Sequence, residues 1–181
     1  MGSVFLNSLQ QKQFEEKGFV IIPSVLNNTE INSLIEIFNK HKDQYHGFFY
    51  TSHFSTDVDY KKLVHDAIAT TVFPKVSSYL NDFVPLFGNF MIKNPDAKNA
   101  MDLHADWTYV EEPAFHSVSI WIPLVDVNET NGCLGIIEGT HKMLNAIRGP
   151  LILQSSRQQD NSWVKKYGKL SYVEAQNPWK A

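Results

Sequence analysis

The chain has 181 residues, 43% of them hydrophobic and 19% charged, with a net charge of −3. This fits one soluble globular domain whose core needs no disulfide or structural metal, and it supplies no clustered basic face for nucleic acid. Cys133 is the only cysteine, and no uncharged run approaches the ~20 apolar residues of a membrane span. With no signal-peptide pattern at the N-terminus, the expectation is a cytoplasmic protein that neither binds nucleic acid nor enters a membrane.

The first part of the chain reads mainly as helices. Ser8 to Lys17 is a polar-rich helix ended by Gly18 at the C′ position. Phe19 to Ile22 is a short β-prone run stopped by Pro23. Asn28 is expected to cap the next helix, in which Ile31, Leu34, Ile35 and Phe38 share one face. Asp57 caps another helix, with Leu63, Val64 and Ile68 apolar, and Lys61-Lys62 reads as solvated surface. Pro74 opens a further turn or helix toward Leu80.

After Asn81 the pattern changes. Phe83 to Ile92, Ser117 to Ile122 and Leu134 to Ile137 are β-prone runs, separated by the turn sequences Asn94-Pro95-Asp96 and Asn131-Gly132. Helices first and strands later predict an α+β organisation in one domain, helical over 1–81 and strand-rich over 82–181. Short strands joined by turns point to a sandwich or jelly roll.

The candidate chemistry lies in His104-Ala105-Asp106. On a strand, side chains at i and i+2 point to the same face, so the imidazole and the carboxylate converge. Together they make two corners of a 2-His-1-carboxylate facial triad, which leaves positions open on Fe(II). A surface histidine beside a solvated aspartate has the same spacing. The pattern gains weight from its neighbours on the C-terminal side: Trp107, a β-prone run, the Asn131-Gly132 turn and another strand. On the run before it, Asn89, Met91 and Lys93 share a face if that run is a strand. Lys93 is then available to an anionic group, or to solvent.

Three segments carry a resemblance. FEEKGFVIIPSVL, LHADW and SIWIPLVDVNETNGCLGIIEGTHK resemble the opening, the first iron-binding motif and the Gly-Ser/Thr-His-Lys segment of phytanoyl-CoA dioxygenase-like proteins, over about residues 14 to 153. The resemblance implies a cupin-like double-stranded β-helix (jelly roll) with N-terminal helices. It implies Fe(II), 2-oxoglutarate and O₂ as cofactor and cosubstrates, and a small-molecule substrate. His104 and Asp106 carry over as iron ligands and catalytic residues. The carboxylate at Asp106 favours hydroxylation, since related halogenases have a small residue there. Met91 and Trp121 match positions lining the 2-oxoglutarate pocket, although both also suit a plain core. Trp107 and Lys93 are candidates for the substrate side, and Trp107, Tyr109 and Trp121 suit a dry pocket. His141, the histidine of the Gly-Thr-His-Lys turn, is read as stabilising that turn rather than as a ligand. His41, His46, His53, His65 and His116 match no ligand motif.

The family's third ligand, a later histidine, and the arginine that grips 2-oxoglutarate have no match here. No histidine follows His141, and Arg148 and Arg157 come too early. The expectation is therefore a jelly roll incomplete at its C-terminus, a chain inactive by itself, and open sheet edges that invite self-association. The alternatives are a non-catalytic binding domain on the same fold, His141 as an improvised third ligand, or a cupin-like metalloprotein that uses no 2-oxoglutarate.

Overall fold

A computed structural model describes residues 2–47, 49–93, 103–111, 114–143, 151–154 and 170–173. The chain divides into two compact units. One comprises Met1–Ile21, Lys98–Pro123 and Val127–Ala175; the other comprises Ile22–Ala97, Leu124–Asp126 and Gln176–Ala181. Helix and sheet are mixed, and the three sheets among the described residues each have two antiparallel strands.

The unit that begins at Met1 starts with helix α1, Ser8–Lys17. Asn7 caps it by accepting from the Leu9 and Gln10 N–H groups, which satisfies two donors that have no intrahelical partner. Gly18 ends it at φ +87°, a left-handed conformation that glycine adopts without steric cost. The Gln11 side chain accepts from the N–H groups of Val4 and Phe5 at 2.8 and 2.9 Å. That holds both residues in the core, where Phe5 meets Phe14 edge to face.

The other unit holds three α-helices among its described residues. Helix α2, Asn28–Lys40, is capped by Asn27 rather than Asn28. Asn27 and Glu30 exchange side-chain and backbone hydrogen bonds in a capping box. Helix α3, Val58–Thr71, is capped by Asp57 as expected and buries Tyr60 and Val64. Helix α4, Phe73–Ser77, carries Pro74 in its first turn, and Lys75 on it pairs with Glu30 at 2.9 Å. The Glu30 carboxyl is held below its usual range, first by the Asn27 N–H and then by Lys75.

Strand β1, Phe49–Thr51, lies within the stretch expected to be helical and pairs with β2, Met91–Lys93. Side-chain bonds extend that short ladder. The Phe90 N–H donates to Ser52 Oγ at 3.0 Å, and the Asn89 amide donates to Thr51 Oγ1 at 2.6 Å. Leu34, Tyr60, Val64, Val72 and Phe90 are buried in this unit.

The remaining strands belong to the unit that begins at Met1. Strand β3, Leu103–Ala105, pairs with β5, Leu151–Gln154; strand β4, Leu134–Ile137, pairs with β6, Leu170–Val173. β4 has the expected bounds, and the turn before it has Gly132 at φ +100°.

Two expected strands do not form: Phe19–Ile22 and Ser117–Ile122 join no ladder among the described residues. Phe83–Ile92 contributes a strand only from Met91 onward. Apolar, β-branched composition favours a pleated surface, but a strand also needs a partner backbone, and composition does not report one. Pro85 within the third run lacks a ladder donor as well. The expected Asn94-Pro95-Asp96 turn lies outside the described residues. Among the described residues, no helix is long and apolar enough to cross a membrane.

Candidate metal centre

His104 sits in the middle of β3, and Asp106 follows directly after its last residue. The pairing of β3 with β5 matches Leu103 to Gln154, then His104 to Ile152. Leu153 is thus the extra residue of an irregularity beside His104. A bulge of this kind re-aims side chains next to functional sites.

His104 Nε2 and Asp106 Oδ1 lie 3.5 Å apart, the imidazole about one-third exposed and the carboxylate 60% exposed. Two donors about 2.1 Å from a first-row metal ion and at right angles to each other stand roughly 3 Å apart. The pair therefore fits two neighbouring corners of one coordination shell, and imidazole with carboxylate is a donor set that suits Fe(II). Among the described residues, no group of three His, Cys, Asp or Glu side chains could hold a metal ion.

His141 is engaged elsewhere. Its Nε2 lies 3.2 Å from the Glu15 carbonyl oxygen, and its ring rests against Phe14 and Gly18. Next to it, the Gly139 N–H donates to the Lys17 carbonyl at 2.9 Å, and Lys17 Nζ pairs with Glu138 at 3.4 Å. The Glu138–Lys142 segment thus caps the C-terminal end of α1, whose last carbonyls have no partner within the helix. The sequence motif points to His141 as a turn-stabilising residue. It does not point to the carbonyl partners on α1, because a backbone acceptor leaves no mark in a sequence.

The other candidates fall in both units. Met91 and Lys93 share the exposed face of β2, as alternation requires. Asn89 instead bonds to Thr51. Trp121 is half-buried, and Trp107, next to Asp106, is 54% exposed.

A histidine and a carboxylate thus stand side by side at a strand end, with the spacing that two adjacent donors of a facial triad require. The chain matches the family model for phytanoyl-CoA dioxygenase (PhyH) over residues 14–165 and belongs to that family. The family implies a cupin-like fold, and its members are generally dioxygenases dependent on Fe(II) and 2-oxoglutarate. Comparison with curated proteins and with solved structures returned no match.

Proposed function

We propose that this chain carries the metal-binding part of an Fe(II)- and 2-oxoglutarate-dependent dioxygenase that hydroxylates a small molecule, on a double-stranded β-helix scaffold. The observation that carries this reading is the 3.5 Å approach of His104 Nε2 to Asp106 Oδ1 within the span that matches the family. The antiparallel pairs β3–β5 and β4–β6 support the scaffold, since a jelly roll is built from such pairs.

Fe(II), when bound, supplies open positions for 2-oxoglutarate and O₂, whose conversion to succinate and CO₂ accompanies the change of a substrate C–H to C–OH. His104 offers a neutral imidazole with the lone pair on Nε2 and the proton on Nδ1. Asp106 offers an ionised carboxylate and offsets one of the two charges of the cation. Trp107, exposed and adjacent in sequence, is suited to wall the substrate side and exclude water. Trp121 is assigned to 2-oxoglutarate by its family position. Met91 is assigned to 2-oxoglutarate by its family position, and Lys93, on the same exposed face of β2, to an anionic group of the substrate by its charge.

The test is an anaerobic Fe(II) titration of the chain with 2-oxoglutarate, following the visible charge-transfer band that arises when this cosubstrate chelates iron. The same titration is run on a polypeptide extended beyond Ala181. The reading expects a band in the extended polypeptide that disappears in both His104→Ala and Asp106→Ala. Silence in both polypeptides would assign the chain to a non-catalytic binding domain. A band without 2-oxoglutarate dependence would assign it to another class of cupin-like metalloprotein.

A further inference from the structure

A groove of about 280 Å³ runs along α3, within the unit that carries this helix. Pockets for drug-sized ligands span roughly 300 to 1,000 Å³, so its size suits only a ligand smaller than those. One wall is a single face of α3. Val58, Lys61, Lys62 and His65 line it at spacings of three, four and seven residues from Val58. The facing wall includes Phe87, which stacks on His53 with ring centroids 5.4 Å apart.

The two walls are fixed against each other. The Gly88 N–H donates to His65 Nδ1 at 3.2 Å. Gly88 lies so close to Ile68 of α3 that a side chain there would collide with it. The bond to Nδ1 leaves the neutral His65 ring with its proton on Nε2, so the ring retains a donor.

The chemistry of the lining is asymmetric. Lysines and histidines line the groove and no carboxylate does. Lys62 pairs with Asp66 at 2.6 Å, whereas Lys61 makes no ion pair among the described residues. Asp57 is engaged as the cap of α3 through the Tyr60 N–H. Asp59 and Asp66 fall at the margin of the lining face, beyond Lys62. Beside these cations, Val58 and Phe87 expose 69% and 39% of their surface. Exposed apolar side chains next to an unpaired ammonium call for a ligand with an apolar body and one negative end.

We propose that this groove binds a small monocarboxylate with a flat or aliphatic body, its carboxylate at Lys61 and His65 and its body on Phe87 and Val58. Opposite charge gives the orientation, and apolar burial on Phe87 discriminates against bare inorganic anions.

The experiment is an NMR titration of the full chain with benzoate, with benzyl alcohol as neutral counterpart and inorganic phosphate as apolar-free counterpart. The expected result is amide shifts confined to residues 52–65 and 87–89 with benzoate, and weaker binding of both counterparts. Lys61→Met keeps the aliphatic stem and is expected to weaken benzoate about tenfold or more, as loss of a charge-assisted hydrogen bond does, while leaving benzyl alcohol unchanged. Phe87→Ala is expected to weaken benzoate and leave phosphate unchanged. Equal binding of benzoate and benzyl alcohol, phosphate binding as tightly as benzoate, shifts outside the groove, or a Lys61→Met protein that binds benzoate normally would each overturn the proposal.

Discussion

The Nε2 of His141 lies 3.2 Å from the main-chain carbonyl of Glu15. A carbonyl only accepts, so Nε2 must donate, and the neutral ring carries its proton there. Replacing His141 by alanine removes this bond and the contact with Phe14. The expected cost is about 1 kcal/mol, read as a lower midpoint in urea denaturation. His141→Gln keeps an N–H donor and is expected to recover part of that loss.

The same contact makes stability depend on pH. Burial holds His141 below its ordinary value of 6.5; the bond to Glu15 opposes this, and Lys142 adds to it. The neutral ring is therefore favoured in the folded state. A histidine whose value falls on folding contributes fully above its unfolded value, and loses that contribution as pH falls through the folded one. Denaturation midpoints at about pH 7.5 and about pH 5.5 should thus differ more in the parent chain than in His141→Gln. Equal slopes in the two proteins would refute this role for His141.

Gly18 lies under the same ring. Its φ is +87°, and a Cβ there would come 2.5 Å from His141 Nδ1. Gly18→Ala therefore combines left-handed strain, roughly 1–2 kcal/mol, with displacement of the His141 ring. The double variant with His141→Ala is expected to lose less than the sum of the two single losses, because the two changes disrupt one contact. Calorimetric unfolding of the four proteins measures that difference.

A pair of tyrosines responds to alkali. The hydroxyls of Tyr45 and Tyr60 share a hydrogen bond, and Tyr60 is 2% exposed. Burial first, and then Tyr45, pushes the Tyr60 phenol far above its ordinary value of 10.0. Burial also raises Tyr45, against the effect of its bond to Tyr60. Both phenols stay neutral in the fold, so their contribution is complete below 10.0 and is lost as pH rises toward the folded values. A spectrophotometric titration should show these two tyrosines ionising after the others. Tyr60→Phe is expected to cost about 1 kcal/mol and to delay the Tyr45 ionisation further, since it removes the hydrogen bond that opposes burial there.

Helices were legible where a local signal sufficed. Asp57 and Pro74 mark helix starts by chemistry that acts within one turn. The one-residue error at Asn28 arose in an Asn-Asn pair, and Glu30, three residues after Asn27, was the cue that separates them. The His104–Asp106 pair was legible for the same local reason. β1 escaped notice because three residues make too short a pattern and their partner lies about forty residues on, at Met91–Lys93. Phe19–Ile22 and Ser117–Ile122 failed in the opposite sense, with strand-like composition and no ladder among the described residues. Pairing is a property of two segments, and periodicity describes one.

The capping of α1 also has a consequence for biosynthesis. A ten-residue helix is shorter than the ~12–15 residues that hold together alone in water, and α1 has no fully buried side chain. The imidazole that bonds to the Glu15 carbonyl lies 126 residues further along the chain. At ~5–20 residues per second, a ribosome takes roughly 6–25 s to reach it after Glu15 is made. During that interval the N-terminal segment lacks this cap, and its helix gains it only once the Gly-Thr-His-Lys turn has emerged.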